Sequence, residues 1–163
     1  MNDAGSDAMM RGHLADMLTR QVAHVTFEQA VAGFPAERAG ETVAPVPHSM
    51  WQLTEHIRLA NRDMLDWAEA ETYVPLKYPS GYWPDTAPPS PGAWEAAVKA
   101  VVDDQARFAA WAADPGTDLT APLERDAGHS RLRMMLLSGI HASYHIGQIV
   151  DLRMLLGVPV RDW

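Results

Sequence analysis

The chain has no cysteine among its 163 residues. That absence excludes disulfides, zinc knuckles and a thiol nucleophile supplied by the protein, so any sulfur chemistry needs a thiol that diffuses in. Basic residues are scarce as well. Thirteen Lys and Arg against twenty-one Asp and Glu leave a net charge of −8, which disfavours a nucleic-acid backbone or an anionic membrane surface as partner. No run approaches the ~18 apolar residues of a membrane span, and Met1 to Asp7 is polar and acidic, without the basic start and apolar stretch of a signal peptide. The expectation is a soluble cytoplasmic protein. Alternating strand patterns are weak throughout. What remains for chemistry is carboxylate, water and seven histidines.

The length suits one domain over residues 1–163, with 1–7 flexible, and a domain of this size buries roughly 68–70% of its unfolded surface. Helical periodicity predicts four segments. The first runs from about Ala8 to Phe34, with Ser6 or Asp7 as N-cap and Met10, Leu14, Met17, Leu18 and Val25 on one face. The second runs from about Ser49 to Ala70; Ser49 with Gln52 forms a capping box, and Leu53, Ile57, Ala60, Met64 and Trp67 repeat at helical spacing. The third opens at Ser90-Pro91, carries Trp94, Val98, Val101, Phe108 and Ala112, and closes near Asp114-Pro115-Gly116. The last starts near Ser130, places Met134, Leu137, His141, His145, Gln148, Leu152 and Leu155 in one row, and stops at Gly157. Four amphipathic segments without repeats predict an all-α fold, a single four-helix bundle. The stretch from Tyr73 to Pro89 is too long for a tight turn and holds Tyr73, Tyr78, Tyr82 and Trp83; it reads either as a lid or as a plain crossover covering one end.

His141 and His145 lie one turn apart on a helix, so both imidazoles can address one point, two-thirds of a minimal metal site. Such a pair also arises by chance in a core. His56, at the edge of the second segment's apolar stripe, stands where a third ligand from a neighbouring helix would be. His48 is about 12 Å along the axis from His56 and cannot share an ion with it on a straight helix. His129 reads as a surface or capping residue in a Gly128-His129-Ser130 turn, and of His13 and His24 only His24 has any claim to face the interior. Gln148 continues the row and can orient a ligand histidine or a water; Tyr144 lies beside it and can donate to a substrate. Asp63 and Asp151 are weaker outer-shell carboxylates. No Glu-x-x-His pair occurs on these helices, so a two-metal carboxylate site lacks its ligands.

These residues resemble the DinB superfamily, the YfiT-like metal-binding helical bundles. The resemblance is carried by Pro47-His48-Ser49-Met50-Trp51-Gln52-Leu53-Thr54-Glu55-His56 and by His141-Ala-Ser-Tyr-His145-Ile-Gly-Gln148, then Leu152-Arg153 and Leu156-Gly157, with weaker support from Tyr82-Trp83-Pro84 and Trp94. It implies that His56, His141 and His145 hold one divalent metal, zinc or nickel. It further implies either a thiol-dependent S-transferase acting on small electrophiles, with a low-molecular-weight thiol as partner, or a metal-dependent hydrolase; a non-catalytic metal- or ligand-binding stress protein is the remaining reading. A homodimer is expected, because the long helices carry apolar residues beyond one core stripe, Trp51 and Trp111 near exposed faces among them.

Overall fold

The computed structural model describes residues 3–160. Its elements in order are α1 (Asp3–Thr19), α2 (Phe27–Val31), α3 (Met50–Glu69), α4 (Ala93–Ala113), β1 (Pro122–Leu123), β2 (Asp126–Ser130) and α5 (Arg131–Leu155). The fold is mostly helical, and α1, α4, α3 and α5 pack in that order around a ring. Contacts between named side chains fix the directions. Arg62 pairs with Asp104 and Trp111 donates to Glu69, so α3 and α4 run parallel. Ser138 meets Asn61 and His141 meets His56, which makes α5 antiparallel to α3. Arg11 binds the carbonyls of Asp114 and Thr117 just past the end of α4, while Leu18 and Gln105 line one cleft farther along, so α1 runs antiparallel to α4.

The second and fourth expected helices match the observed ones within about a residue. Ser49 accepts from the Gln52 amide, and the Gln52 side chain accepts from the Ser49 amide; Ser130 caps α5, and Gly157 at φ 72° follows its end. Three expectations need correction. The first helix is two. α1 begins at Asp3, ahead of Ser6 and Asp7, and stops at Thr19; a separate capping box, Thr26 with Gln29, starts α2. That box was legible in the sequence, and the β-branched Val22, Val25 and Thr26 disfavour continuing the helix. At the third helix Gly92, in a left-handed conformation, is the N-cap, where Ser90-Pro91 was expected to serve. Finally, β1 and β2 form a small antiparallel pair where no strand was expected, and His129 lies in β2, donating to Asp126, rather than in a turn.

The core is divided. At one end Phe27, Phe34, Met50, Leu53, Ile57, Trp94, Val101, Ile146, Ile149 and Leu152 form one apolar cluster; at the other Leu14, Leu18, Leu65, Phe108, Trp111, Met134 and Met135 form a second. Between them, at one level on three helices, lie buried Asn61, Asp104, Gln105 and Ser138, with Ser138 donating to Asn61 at 2.9 Å and Arg62 reaching in to Asp104. Trp51 and Trp111 are both buried, which removes the reason given for a dimer surface there. The row expected along the last helix is also partly wrong: Leu137 and Leu155 are 40% and 54% exposed, and the true core face is Met135, Ser138, Ala142, Ile146, Ile149 and Leu152. No helix among the described residues is long and apolar enough to cross a membrane.

Parallel α3 and α4 demand a connection that returns the length of the 20-residue α3, about 30 Å. The segment 70–92 does this as a strap against the side of α3. Its carbonyls at Tyr82, Pro84 and Thr86 accept from His56 Nδ1 at 2.9 Å, Gln52 Nε2 at 3.1 Å and Ser49 Oγ at 2.6 Å. Alternate residues of an extended chain thus meet successive turns of one helix face. Farther down, Tyr73 and Tyr82 both donate through their hydroxyls to Asp63, each at 2.7 Å.

Candidate metal centre

α3 and α5 bring His56, His141 and His145 together at the edge of the larger apolar cluster, as expected. One ring nitrogen from each lies within 4.8 Å of the other two. Tetrahedral ligation at about 2.1 Å spaces ligand nitrogens roughly 3.4 Å apart, so small side-chain rotations suffice for one ion. Two observations of bonding fit a cation. The Nε2 atoms of His56 and His141 face each other at 3.0 Å, an arrangement in which two lone pairs repel unless a proton or a metal ion satisfies them. Two of the three rings are held by their Nδ1 atoms: His56 Nδ1–H donates to the Tyr82 carbonyl, and His145 Nδ1–H donates to Gln148 Oε1 at 2.6 Å. Both contacts fix the tautomer that leaves Nε2 free to bind, the usual arrangement behind metal-ligating histidine. His141 Nδ1 is buried without a partner.

The electrostatics favour neutral rings. Burial holds His141 and His145 down to about 4, with neighbouring imidazoles adding to the effect, and burial likewise lowers His56. Neutral imidazole is the ligating form, so the site is ready for a metal at neutral pH without first losing protons.

Gln148 is where it was expected, one turn beyond His145 and bonded to it. Tyr144 is 66% exposed, its ring edge-on to His145 at 5.0 Å, with its hydroxyl free for a visiting molecule. His24 leaves the site: its Nε2 contacts Ser143 Oγ on the side of α5 facing α1. Asp63 serves the strap rather than a ligand directly, and Asp151 is exposed. Two residues were underrated. The Trp83 indole stacks on His56, and His48 stacks on the opposite face of the same indole at 4.0 Å and 12°. His48 therefore takes part as the outer layer of a His48–Trp83–His56 stack, without sharing an ion. Its sequence distance from His56 spoke against shared ligation but carried no information about an indole inserted from the strap.

The strap accordingly unites both sequence readings. It is the crossover the topology requires, and it also walls the metal centre, since Trp83 lies edge-on to His145 as well, at 6.1 Å. No curated protein and no solved structure matches the chain at a significant level. The family model of the DinB superfamily, however, matches residues 18–149, a span that includes α3, the strap, α4 and all three histidines. With most of its length matched and the three-histidine cluster assembled, the chain belongs to the DinB superfamily.

Proposed function

We propose that this chain is a divalent-metal-dependent enzyme, a single domain built around a four-helix bundle, that transfers a low-molecular-weight thiol onto small electrophiles. The observation that carries this reading is the cluster of three neutral imidazoles on α3 and α5, supported by the family assignment. His56, His141 and His145 would hold zinc or nickel; a divalent ion bound by three imidazoles supplies the Lewis acidity that makes a thiol or water nucleophilic near neutral pH. The remaining work falls to the chain's own groups. Gln148 and the Tyr82 carbonyl orient His145 and His56, while Trp83 keeps water off one face of His56. Tyr144, exposed beside His145, would donate through its hydroxyl to the electrophile. A chain without cysteine supplies no thiol of its own, so the sulfur comes from a diffusible cosubstrate. The same reading makes the protein a cytoplasmic homodimer with no nucleic acid or membrane as partner.

The test is metal quantification on protein purified without an affinity tag, followed by a panel of small thiols against soft electrophiles, with and without chelator. One equivalent of metal and chelator-sensitive thiol consumption are expected. Metal-dependent cleavage of esters or amides with no thiol transfer would replace the transferase with a hydrolase, and bound metal with no turnover in either panel would leave a binding protein.

A further inference from the structure

Beyond the core face of α5 lies a second, outward face that this chain leaves uncovered. Its exposed residues are Arg133, Leu137, Ile140, Tyr144, Gly147 and Asp151, at alternating spacings of four and three, the rhythm of a seam between two helices. Leu136, Met154 and Leu155 flank it. Ile140 and Tyr144 are each 66% exposed, an unusual concentration of apolar surface on one helix of a soluble-type fold.

The seam is complementary to itself. Arg133 and Asp151 stand equally far on either side of Ala142, as do Leu137 and Gly147, and Ile140 and Tyr144. Neither Arg133 nor Asp151 takes part in an ion pair among the described residues. Nothing lies within 4 Å of where a Cβ on Gly147 would sit, so that glycine leaves a shallow gap in the face. Two copies of α5 packed antiparallel about a twofold axis at Ala142 would set Arg133 of each against Asp151 of the other, Leu137 into the Gly147 gap, and Ile140 against Tyr144. A shallow crossing of about 20° keeps the charged ends, about 13 Å from the axis, within reach. An isologous interface requires this kind of self-matching.

We propose that this outward face of α5 is the contact between two copies of the chain, which rests on the homodimer reading above and names its surface. His141 and Gln148 lie on the flank of α5 between the core face and the seam. Under this twofold each flank of α5 meets its own counterpart, so Leu137 of the partner subunit, on the same flank, stands nearest Gln148.

Sedimentation of the whole chain at micromolar concentration tests this. The wild type is expected at twice its 18.0 kDa chain mass. Arg133→Asp and Asp151→Arg should each weaken the dimer at least tenfold, whereas the double variant R133D/D151R, or an equimolar mixture of the two single variants, should recover it, because opposite charges again meet at both ends. Ile140→Lys, with unchanged helical circular dichroism, should be monomeric. A wild-type monomer overturns both this surface and the homodimer. A dimer indifferent to both single reversals and to Ile140→Lys overturns the surface and leaves the homodimer standing.

Discussion

Trp83 lies flat on His56, ring centroids 3.9 Å apart and planes 4° from parallel. The indole comes from the strap and the imidazole from α3, so the candidate metal centre leans on a segment that supplies none of its three histidines. The Tyr82 carbonyl, next to Trp83 in the chain, sets the His56 tautomer. Trp83→Ala should therefore lower metal affinity about 10-fold, at the low end of what losing an outer partner of a ligand histidine costs. Trp83→Phe, which keeps a flat ring there, should retain most of it. Competition with a chromophoric chelator measures both, and equal affinities for wild type and Trp83→Ala would show the stack to be incidental.

The metal-free protein should lose stability in acid in a defined window. His145 is 6% exposed and its folded value is held at about 4, below the ordinary 6.5, chiefly by burial. The unfolded chain thus takes up its proton first as pH falls. The contribution is complete above about pH 6.5 and is lost progressively toward pH 4, amounting to about 3 kcal/mol for this residue alone. Urea midpoints across that range should fall steeply for wild type and more gently for His145→Gln. Metal binding should also survive to lower pH than ordinary histidines would allow, since His141 resists protonation to about 4 for the same reason.

Arg153 is 2% exposed yet charged, and the fold uses it as a staple. Its guanidinium donates to the carbonyls of Ala30 and Ala32 at 2.6 and 2.9 Å and to that of Val158 at 2.8 Å, joining the end of α2 to the segment after α5. Arg153→Met leaves those buried acceptors without donors and should cost about 3 kcal/mol in denaturant unfolding. Arg153→Lys should recover little of this, because one ammonium cannot reproduce the planar fork.

Gly40→Ala should act on the far end of the strap. An added Cβ would stand 2.7 Å from the Ala87 Cβ and 3.0 Å from its Cα, a clash with backbone rather than with a flexible tip. Relieving it moves Ala87 and, through Thr86, the bond to Ser49. The expected cost is about 1–3 kcal/mol, with faster proteolysis between Tyr82 and Ala87 as a local readout. Wild-type cleavage rates in that stretch would show that the strap accommodates the methyl group.

Much of this molecule was legible before its structure. The capping pair of Ser49 and Gln52, the stop at Gly157 and the spacing of His141 and His145 are local signals, and local signals survive into the fold. The break between α1 and α2 was also locally encoded, by Thr26 and Gln29, but a long apolar face obscured it. The His48–Trp83–His56 stack was not legible, since it depends on the register of a strap against a helix some thirty residues away in sequence, where no periodicity is at work. The same holds for Asp63, whose two tyrosine partners reach it only because α3 and α4 run parallel. Leu137 and Leu155 misled because an apolar residue on a helix says which faces are sticky without saying which one the chain itself will cover.

The polar layer of Asn61, Asp104, Gln105 and Ser138 separates two apolar clusters that share helices but little side-chain contact. Opening the half that holds the three histidines would expose its own cluster and spare the other, so the two halves should open as separate cooperative units across this polar layer. Along α5, amide exchange should then change character at Ser138: a bound ion slows the amides on the His141 side of that residue and leaves those on the Met134 side as they were. Ligand binding thereby becomes a local stabiliser, felt by half of a helix that is continuous in space.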